Sequence, residues 1–240
     1  MAILFISDLH LTRERPNITQ LFIKFLNEQA NKAEALYILG DLFEVWLGDD
    51  MILPDYQDAI ASIKKLTNSG IPVYIMYGNR DFLMRDRFEV LTGAKLIHEP
   101  HIIDLYGQPT LLLHGDTLCT DDIEYQKLRT MVRNPEWQDD VLSRSPEERL
   151  ALARKFRDIS KEETSQKESN IMDVNQLAVE QTMREHNVLR LIHGHTHRPG
   201  FHQFMLDNKQ VERIVLGDWY ESGNYLQCHD RRCKLVEFKN

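Results

Sequence analysis

Residues 189–197 of this 240-residue chain read LRLIHGHTH, a short apolar run that passes directly into three histidines within five positions. Two interpretations fit the stretch. Either polar residues alternate along a strand edge, or His193, His195 and His197 include ligands of a metal ion. The stretch alone leaves both interpretations open. The choice depends on whether other parts of the chain repeat the pattern of a buried strand followed by metal-binding residues.

Four further apolar runs end in the same way. AILFI at 2–6 precedes SDLH, ALYIL at 35–39 precedes GD, PVYIMY at 72–77 precedes GNRD, and TLLL at 110–113 precedes HGD. Runs of this length rich in Ile, Leu, Val and Tyr predict buried strands. Helical spacing of apolar residues predicts helices over 19–33 and 55–68. Alternating strands and helices predict an α/β layered fold, in which ligands bind beyond the carboxyl ends of the strands.

Residues 121–187 interrupt this alternation. They are polar and helical in pattern, so we predict a helical cap over about 121–187, inserted into a single domain spanning 1–240. The tail from about residue 201 returns to strand-like alternation, in RIVLGDWY and KLVEF. We expect this tail to complete a second sheet.

Composition narrows the class of protein. Hydrophobic residues make up 42% and charged residues 28%, which is typical of a soluble globular chain. The net charge of −8 argues against a nucleic-acid binder. Cys119, Cys228 and Cys233 have no paired spacing, which predicts reduced thiols in a cytosolic protein. The start, MAILFISDLHL, lacks the basic region of a signal peptide, and no run approaches the roughly 18–20 apolar residues of a membrane span.

The polar residues at the predicted strand ends combine carboxylate, amide and imidazole groups. They are Asp8, His10, Asp41, Asn79, His114, His195 and His197. Mixed nitrogen and oxygen donors suit first-row metals such as Mn²⁺, Fe²⁺ or Zn²⁺ better than Ca²⁺ or Mg²⁺. Two such metals, roughly 3.5–4 Å apart, can hold a hydroxide nucleophile and clamp a phosphoryl group. Residues i and i+2 of an extended segment point the same way, so each D-x-H or H-x-H pair can enter one site. Neighbouring glycines would allow close backbone approach, and Asp81 and Asp116 would orient the ligands.

The order D-x-H, GD, GNRD, HGD and GHTH resembles the calcineurin-like metallophosphoesterase superfamily along the whole core of the chain. The resemblance implies a four-layer αββα sandwich, two mixed sheets flanked by helices, with a dinuclear metal centre at the strand ends. Carried over by residue, the first metal takes Asp8, His10, Asp41 and His197. The second takes Asp41, Asn79, His114 and His195, so Asp41 bridges the two. His193 has no counterpart in the motif, and we interpret it as a packed strand histidine.

Longer stretches resemble the UDP-2,3-diacylglucosamine pyrophosphohydrolase family of lipid A biosynthesis. They are FISDLHL, LYILGDLFEVWLGDD, GNRDFL, LLLHGDTLCTDD, IMDVNQ and LIHGHTHRP. This resemblance implies hydrolysis of UDP-2,3-diacylglucosamine to UMP and 2,3-diacylglucosamine 1-phosphate, dependent on two Mn²⁺ per chain, with water attacking the α-phosphate. Asp41, Arg80 and His195 would be catalytic, with metal-bound hydroxide as nucleophile. Substrate contacts would come from Asn79, Arg80, Asp122, Arg157, Ser160, Thr164, Lys167 and His195.

The predicted cap has features that suit a lipid substrate. Four of the implied substrate contacts, Arg157, Ser160, Thr164 and Lys167, are spaced by three or four and share one helical face. A solvated charged helix is the alternative. An apolar stripe in the same segment would accept acyl chains; it comprises Leu150, Leu152, Ala153, Phe156 and Ile159, preceded by Trp137 and Val141. Basic residues interleaved with this stripe favour an interfacial helix on anionic lipid.

The resemblance therefore implies a cytoplasmic enzyme that associates peripherally with the inner membrane of a Gram-negative bacterium, without nucleic acid and without an obligate protein partner. Two alternatives remain open. A related pyrophosphohydrolase or phosphodiesterase could act on a soluble nucleotide, in which case the apolar stripe would be packed as core. A catalytically inactive phosphoesterase could serve as a scaffold, but such a protein would be expected to have lost ligands.

Overall fold

A computed structural model describes residues 1–166 and 173–239, with side chains described outside 158–166. Its first half contains β1 (Ile3–Ile6), α1 (Pro16–Glu28), β2 (Ala35–Leu39), α2 (Gln57–Asn68), β3 (Val73–Met76), α3 (Asp86–Thr92), β4 (Lys95–Ile97), β5 (His101–Asp104) and β6 (Pro109–Leu112). Its second half contains α4 (Ile123–Val132), α5 (Pro135–Ser143), α6 (Pro146–Gln166), α7 (Gln176–Glu185), β7 (Arg190–His193), β8 (Gly200–Leu206), β9 (Lys209–Val215), β10 (Gly223–His229) and β11 (Arg232–Phe238).

The strands form two mixed sheets. The first has the order β11-β10-β1-β2-β3-β4 and the second the order β5-β6-β7-β9-β8. Strands β1 to β4 run parallel, because helices α1, α2 and α3 return the chain to the same edge between them. Strands β6, β7 and β9 are likewise parallel, and antiparallel strands complete both sheets.

Helices cover the outer face of each sheet. Phe22 and Phe25 of α1 and Ile63 of α2 are fully buried against the first sheet, in one cluster with Leu36 and Ile38. A second cluster lies between the sheets and joins Phe5, Leu39, Leu112, Ile192 and Ile214. On the far side, Val179 and Met183 of α7 pack on Leu111 and Leu191. These four layers confirm the predicted α/β fold, an αββα sandwich.

All five strands predicted before polar clusters are present, as β1, β2, β3, β6 and β7. Helix α2 matches the prediction over 55–68, whereas α1 begins earlier than predicted and ends at Glu28 instead of residue 33. The expectation for the tail is only partly right. Strand β9 joins the second sheet, but β10 pairs antiparallel with β1 and carries β11 with it into the first. Strand alternation alone predicts burial on one face and does not select the partner strand.

The expectation of reduced thiols is wrong for two of the three cysteines. Cys228 and Cys233 are joined by a disulfide, with a Cα–Cα distance of 4.1 Å. The two residues are direct partners in the β10–β11 hairpin, so strand pairing brings their sulfurs together. The spacing of five residues carries no such signal until the hairpin is known. Cys119 is buried and lies outside this disulfide.

The four helices described between β6 and β7 pack against different parts of the molecule. Helix α7 supplies the outer layer of the second sheet. By contrast, Trp137 of α5 and Leu152 of α6 pack beside the first sheet's core cluster. Arg149 of α6, only 6% exposed, anchors this helix by donating to Asp50 and to the Leu47 carbonyl. Within the described ranges, no helix has both the length and the apolar character needed to cross a membrane.

Candidate metal centre

The seven predicted ligands lie just beyond the ends of five strands. Asp8 and His10 follow β1, Asp41 follows β2, Asn79 follows β3, His114 follows β6, and His195 and His197 follow β7. Three of these strands belong to the first sheet and two to the second. The predicted ligands therefore meet where the carboxyl ends of strands from both sheets come together, the place where ligands bind in α/β folds.

The first predicted ligand set forms a compact group that is buried except for His197, which is half-buried. Nε2 of His197 lies 3.4 Å from Oδ1 of Asp8, and Nε2 of His10 lies 3.7 Å from Oδ2 of Asp41. Oδ1 of Asp8 and both ring nitrogens of His10 are buried without a hydrogen-bond partner among the described residues. Buried polar atoms are normally satisfied, so these atoms fit metal ligands.

The second predicted set converges on Asn79. Its Oδ1 lies 2.9 Å from Nε2 of His114 and 3.1 Å from Nδ1 of His195. Nε2 of His114 is also 3.8 Å from Oδ2 of Asp41, the same oxygen that faces His10. One carboxylate oxygen thus stands between the two sets, which is compatible with a bridging role for Asp41.

Five of the seven residues have a left-handed backbone, with φ between 48° and 68°: Asp8, His10, Asp41, His195 and His197. This region is uncommon for residues other than glycine, costs of order 1–3 kcal/mol each, and clusters at functional sites. The prediction that each i, i+2 pair shares a direction along an extended segment is therefore incomplete. Successive tight turns beyond the strand ends, and not strand pleating, aim these side chains.

Two glycines allow the loops that carry these residues to approach each other closely. A Cβ on Gly78 would overlap Oδ1 of Asp41, and one on Gly194 would overlap Oδ2 of Asp8. The loops after β2 and β3, and those after β1 and β7, can approach this closely only without a side chain at these positions.

Mutual proximity changes the proton affinities of the cluster. Burial alone would raise the pKa of Asp8, but contact with His197 and the neighbouring charge of His114 lower it. Burial would lower the pKa of His114, yet Asp41, Asp116 and other carboxylates outweigh it and raise the pKa to about 9. Burial and neighbouring His114 instead lower the pKa of His195 to about 4. The site is a concentration of negative charge, suited to a cation.

Among the described residues, Asp81 and Asp116, which were predicted to orient the ligands, form hydrogen bonds with loop backbone and with helix α4 and not with the histidine rings. Asp81 accepts hydrogen bonds from the backbone N–H groups of Leu42, Phe43 and Gly78, so it holds the turns that carry Asp41 and Asn79. Asp116 accepts from the Tyr125 hydroxyl and the Arg129 guanidinium of α4. The Nδ1 of His114 lies 2.9 Å from the Leu39 carbonyl, which leaves its Nε2 facing Asn79.

Two carboxylates in the cluster were not predicted. Oε2 of Glu44 lies 3.4 Å from Nδ1 of His10, and Oδ2 of Asp218 lies 3.4 Å from Nδ1 of His197. Each faces the ring nitrogen opposite the one turned towards Asp8 or Asp41, the arrangement of a carboxylate that orients a metal-binding histidine. Only their presence in LGDLFE and LGDWY, beside glycine-aspartate turns, could have drawn attention to them.

His193 takes no part in the cluster. It is fully buried at the end of β7, with Nδ1 2.8 Å from the Gly194 carbonyl and Nε2 3.1 Å from the Arg213 guanidinium. Burial and the Arg213 charge lower the pKa of His193 to about 3, so the ring is neutral. This placement agrees with a packed strand histidine.

A cavity of about 400 Å³ opens beside the cluster, between helices α5 and α6 and the loops after β2 and β3. Asn79 and Arg80 belong to its wall. Its apolar lining includes the predicted residues Trp137, Val141, Leu150, Leu152, Ala153 and Phe156, with Trp46, Leu53 and Tyr56 opposite. Ile159 falls among the side chains that are not described.

The predicted substrate contacts are placed unevenly. Arg80 lines the cavity, and its Nε is buried without a hydrogen-bond partner among the described residues. Arg157, also on the wall, lies 3.5 Å from both Glu14 and Glu44. Asp122 caps α4 by accepting from the Tyr125 N–H, and the Tyr125 ring lies 5.8 Å from that of His195. Lys167 and the side chains of Ser160 and Thr164 lie outside the described residues.

Comparison with known proteins supplies a family context. Residues 1–199 match the calcineurin-like phosphoesterase family. UDP-2,3-diacylglucosamine hydrolases of Serratia proteamaculans and Escherichia coli are each 46% identical over 238 residues, which cover 99% of both chains in each pair. The enzyme of that name from Stenotrophomonas maltophilia is 47% identical over 95% of this chain and 94% of its own. Among solved structures, an archaeal phosphodiesterase superposes with a TM-score of 0.50 at 14% identity, covering 99% of this chain and 100% of that one, a likeness of fold alone.

Proposed function

Since the chain is a hydrolase that belongs to the calcineurin-like phosphoesterase family, and within it to the UDP-2,3-diacylglucosamine hydrolases, we propose that it hydrolyses the pyrophosphate bond of UDP-2,3-diacylglucosamine. The products are UMP and 2,3-diacylglucosamine 1-phosphate, a lipid A precursor, with water attacking the α-phosphate. One observation carries the choice of substrate: the cavity with the apolar lining opens where Asn79 joins the cluster of metal-binding donors.

Two Mn²⁺ ions form the proposed cofactor. Asp8, His10, Asp41 and His197 would hold the first, and Asp41, Asn79, His114 and His195 the second. The mixed oxygen and nitrogen donors and the unpartnered atoms of Asp8 and His10 support this assignment. When bound, such ions polarise phosphoryl oxygens and make water more acidic.

The chain's own residues would position and neutralise the pyrophosphate. The Arg80 backbone N–H donates to Oδ1 of Asp41 at 2.9 Å, so the turn that carries the guanidinium is tied to the proposed bridging carboxylate. The buried Nε of Arg80 is available for a charge-assisted hydrogen bond to a phosphate oxygen. Burial and the neighbouring His114 lower the pKa of His195 to about 4, which disfavours a protonated ring at this position. Arg157, held only at 3.5 Å by Glu14 and Glu44, can exchange these partners for a substrate anion.

The cavity favours an acylated substrate over a soluble nucleotide. Leu150, Ala153 and Phe156 line an open cavity beside the site, and Leu152 lines it while also packing on the core cluster of the first sheet. A fully packed cap would leave no such cavity. Each methylene buried there would contribute roughly 0.8 kcal/mol. Binding energy of this kind discriminates strongly between acylated and unacylated sugars. The complete set of seven donors also disfavours an inactive scaffold.

Peripheral attachment to the cytoplasmic face of the inner membrane is part of the proposal. A diacylated substrate resides in a bilayer, and α6 carries exposed Arg154 and Lys155 beside the cavity. Basic side chains next to an apolar surface favour contact with anionic lipid.

Flotation with vesicles of anionic phospholipid tests this membrane attachment. We expect binding that weakens at high salt. Recovery of all protein in the soluble fraction at low salt would contradict the attachment.

Product analysis tests the reaction itself. Purified protein is incubated with UDP-2,3-diacylglucosamine, with Mn²⁺ or with excess chelator, and in parallel with UDP-N-acetylglucosamine as the unacylated control. We expect metal-dependent release of UMP from the acylated substrate alone. Equal cleavage of both substrates would favour the soluble-nucleotide alternative, and cleavage of neither would leave this substrate without support.

A further inference from the structure

We propose that Glu44 is a positioning residue of the metal centre, whose carboxylate orients the His10 imidazole and links it to the cap helix α6. The inference deepens the proposed function and rests on the proposed metal site. It concerns a side chain in the loop after β2 that lies outside the seven predicted ligands.

The His10 ring is enclosed between two carboxylates. Its Nδ1 lies 3.4 Å from Oε2 of Glu44 and its Nε2 lies 3.7 Å from Oδ2 of Asp41, with the ring only 5% exposed. Neither nitrogen has a hydrogen-bond partner among the described residues. A histidine that binds a metal through one nitrogen usually donates the other N–H to an acceptor, which fixes its tautomer and orientation. Glu44 is the acceptor in reach of Nδ1.

The backbone holds Glu44 in this place. Its N–H donates to the Leu11 carbonyl at 3.0 Å, and the Leu11 N–H donates to the Leu42 carbonyl at 3.0 Å. Leu11 and Phe43 form a parallel bridge, and the His10 N–H donates to the Asp41 carbonyl. The loops after β1 and β2 are therefore joined next to both side chains. The contact between Glu44 and His10 follows from this backbone pairing of the two loops.

The other Glu44 oxygen connects to the cap. Oε1 of Glu44 lies 3.5 Å from Nε of Arg157 on α6. Glu14 contacts the same arginine, at 3.5 Å from its Nη2. Among the contacts of the described residues, none joins Glu14 to His10. Glu14 is thus a matched control that shares the charge and the arginine without the histidine.

Calorimetric titration of Mn²⁺ into metal-free protein tests the proposal. We compare the wild type with Glu44→Ala, Glu44→Gln and Glu14→Ala. Loss of an outer partner of a metal ligand typically weakens metal affinity by about 10–100-fold. We expect a loss of this size for Glu44→Ala in one of two binding steps, because Glu44 contacts a ligand of the first set only. Glu44→Gln should lose less, since its amide oxygen still accepts from Nδ1, and Glu14→Ala should match the wild type.

The melting temperature of each metal-free variant separates positioning from folding. A purely structural role would lower this temperature and leave the Mn²⁺ affinity of the folded protein unchanged, which would overturn the proposal. Equal losses of affinity in Glu14→Ala and Glu44→Ala would overturn it too, since general charge would then be the cause. If Glu44→Ala does not fold, Glu44→Gln and Glu44→Asp replace it in the test. The shorter side chain of Glu44→Asp withdraws the carboxylate from His10. Wild-type Mn²⁺ affinity in both variants would overturn the proposal. Failure of the wild type itself to bind Mn²⁺ would instead refute the metal site on which the inference rests.

Discussion

Replacing Gly194 with alanine probes how the GHTH turn holds Asp8 in place. The backbone cannot retreat freely, because the Gly194 N–H donates to the His114 carbonyl at 2.8 Å. A Cβ at this position would overlap Oγ of Ser7 and Oδ2 of Asp8, two residues that are 0% and 1% exposed. That same Asp8 oxygen accepts from the Ser7 hydroxyl and from the His195 N–H. The added methyl group must therefore displace a carboxylate that is already held from two sides.

The size of the effect follows from this overlap. Forcing a methyl group into a well-packed interior costs about 1–3 kcal/mol. For a chain of this length the melting temperature would fall by about 2–12 °C. Displacing Asp8 also disturbs its approach to His197, now 3.4 Å. We expect Mn²⁺ affinity to fall by at least the roughly 10-fold that a disturbed partner of a metal ligand causes.

Thermal unfolding of the metal-free protein and calorimetric titration with Mn²⁺ measure the two effects separately. Gly200→Ala is the matched control, because its Cβ would meet only Nε2 of His202 at 3.6 Å, an ordinary contact. Gly194→Ala should be less stable than this control and bind Mn²⁺ more weakly. If the two variants unfold at the same temperature and bind Mn²⁺ equally, close packing of this turn does not hold Asp8, and the reasoning is refuted.

Three further substitutions address the proposed roles of single residues. Asp41→Ala removes the oxygen that stands between His10 and His114, so turnover with Mn²⁺ should fall by more than the ~100-fold typical of outer partners; a larger residual rate would count against a bridging carboxylate. Arg80→Ala should lower kcat/KM by about 10- to 150-fold, the equivalent of a lost hydrogen bond to a charged group; an unchanged steady-state rate would remove its role. His193→Gln should destabilise the fold by about 1–3 kcal/mol through the partnership with Arg213, measured by urea unfolding, with Mn²⁺ affinity retained; weaker Mn²⁺ binding at unchanged stability would show that His193 belongs to the site.

The spacing of apolar residues along the chain predicted the strands and helices whose burial depends on neighbouring residues. Buried strands such as β2 are continuous apolar runs, and α1 and α2 show helical spacing, so both types were predicted from the sequence. The short strands β4 and β5, of three and four residues, carry no comparable signal. The pairing of β10 with β1 could not be predicted from the sequence either. These strands are more than 200 residues apart, and their pairing depends on which edge of the first sheet is unpaired once the other strands have folded.

The sequence by itself determined the chemistry: which strands end in carboxylate, amide or imidazole groups, and hence a cluster of metal-binding donors in an α/β layered fold. Only the tertiary structure decided how these donors meet. It turned five of them through left-handed conformations, brought Glu44 and Asp218 behind two histidines, and opened a cavity beside Asn79. The physical reason is range. Side-chain chemistry and periodicity belong to neighbouring residues, whereas distances, burial and pKa values arise from segments far apart in the chain that packing brings together.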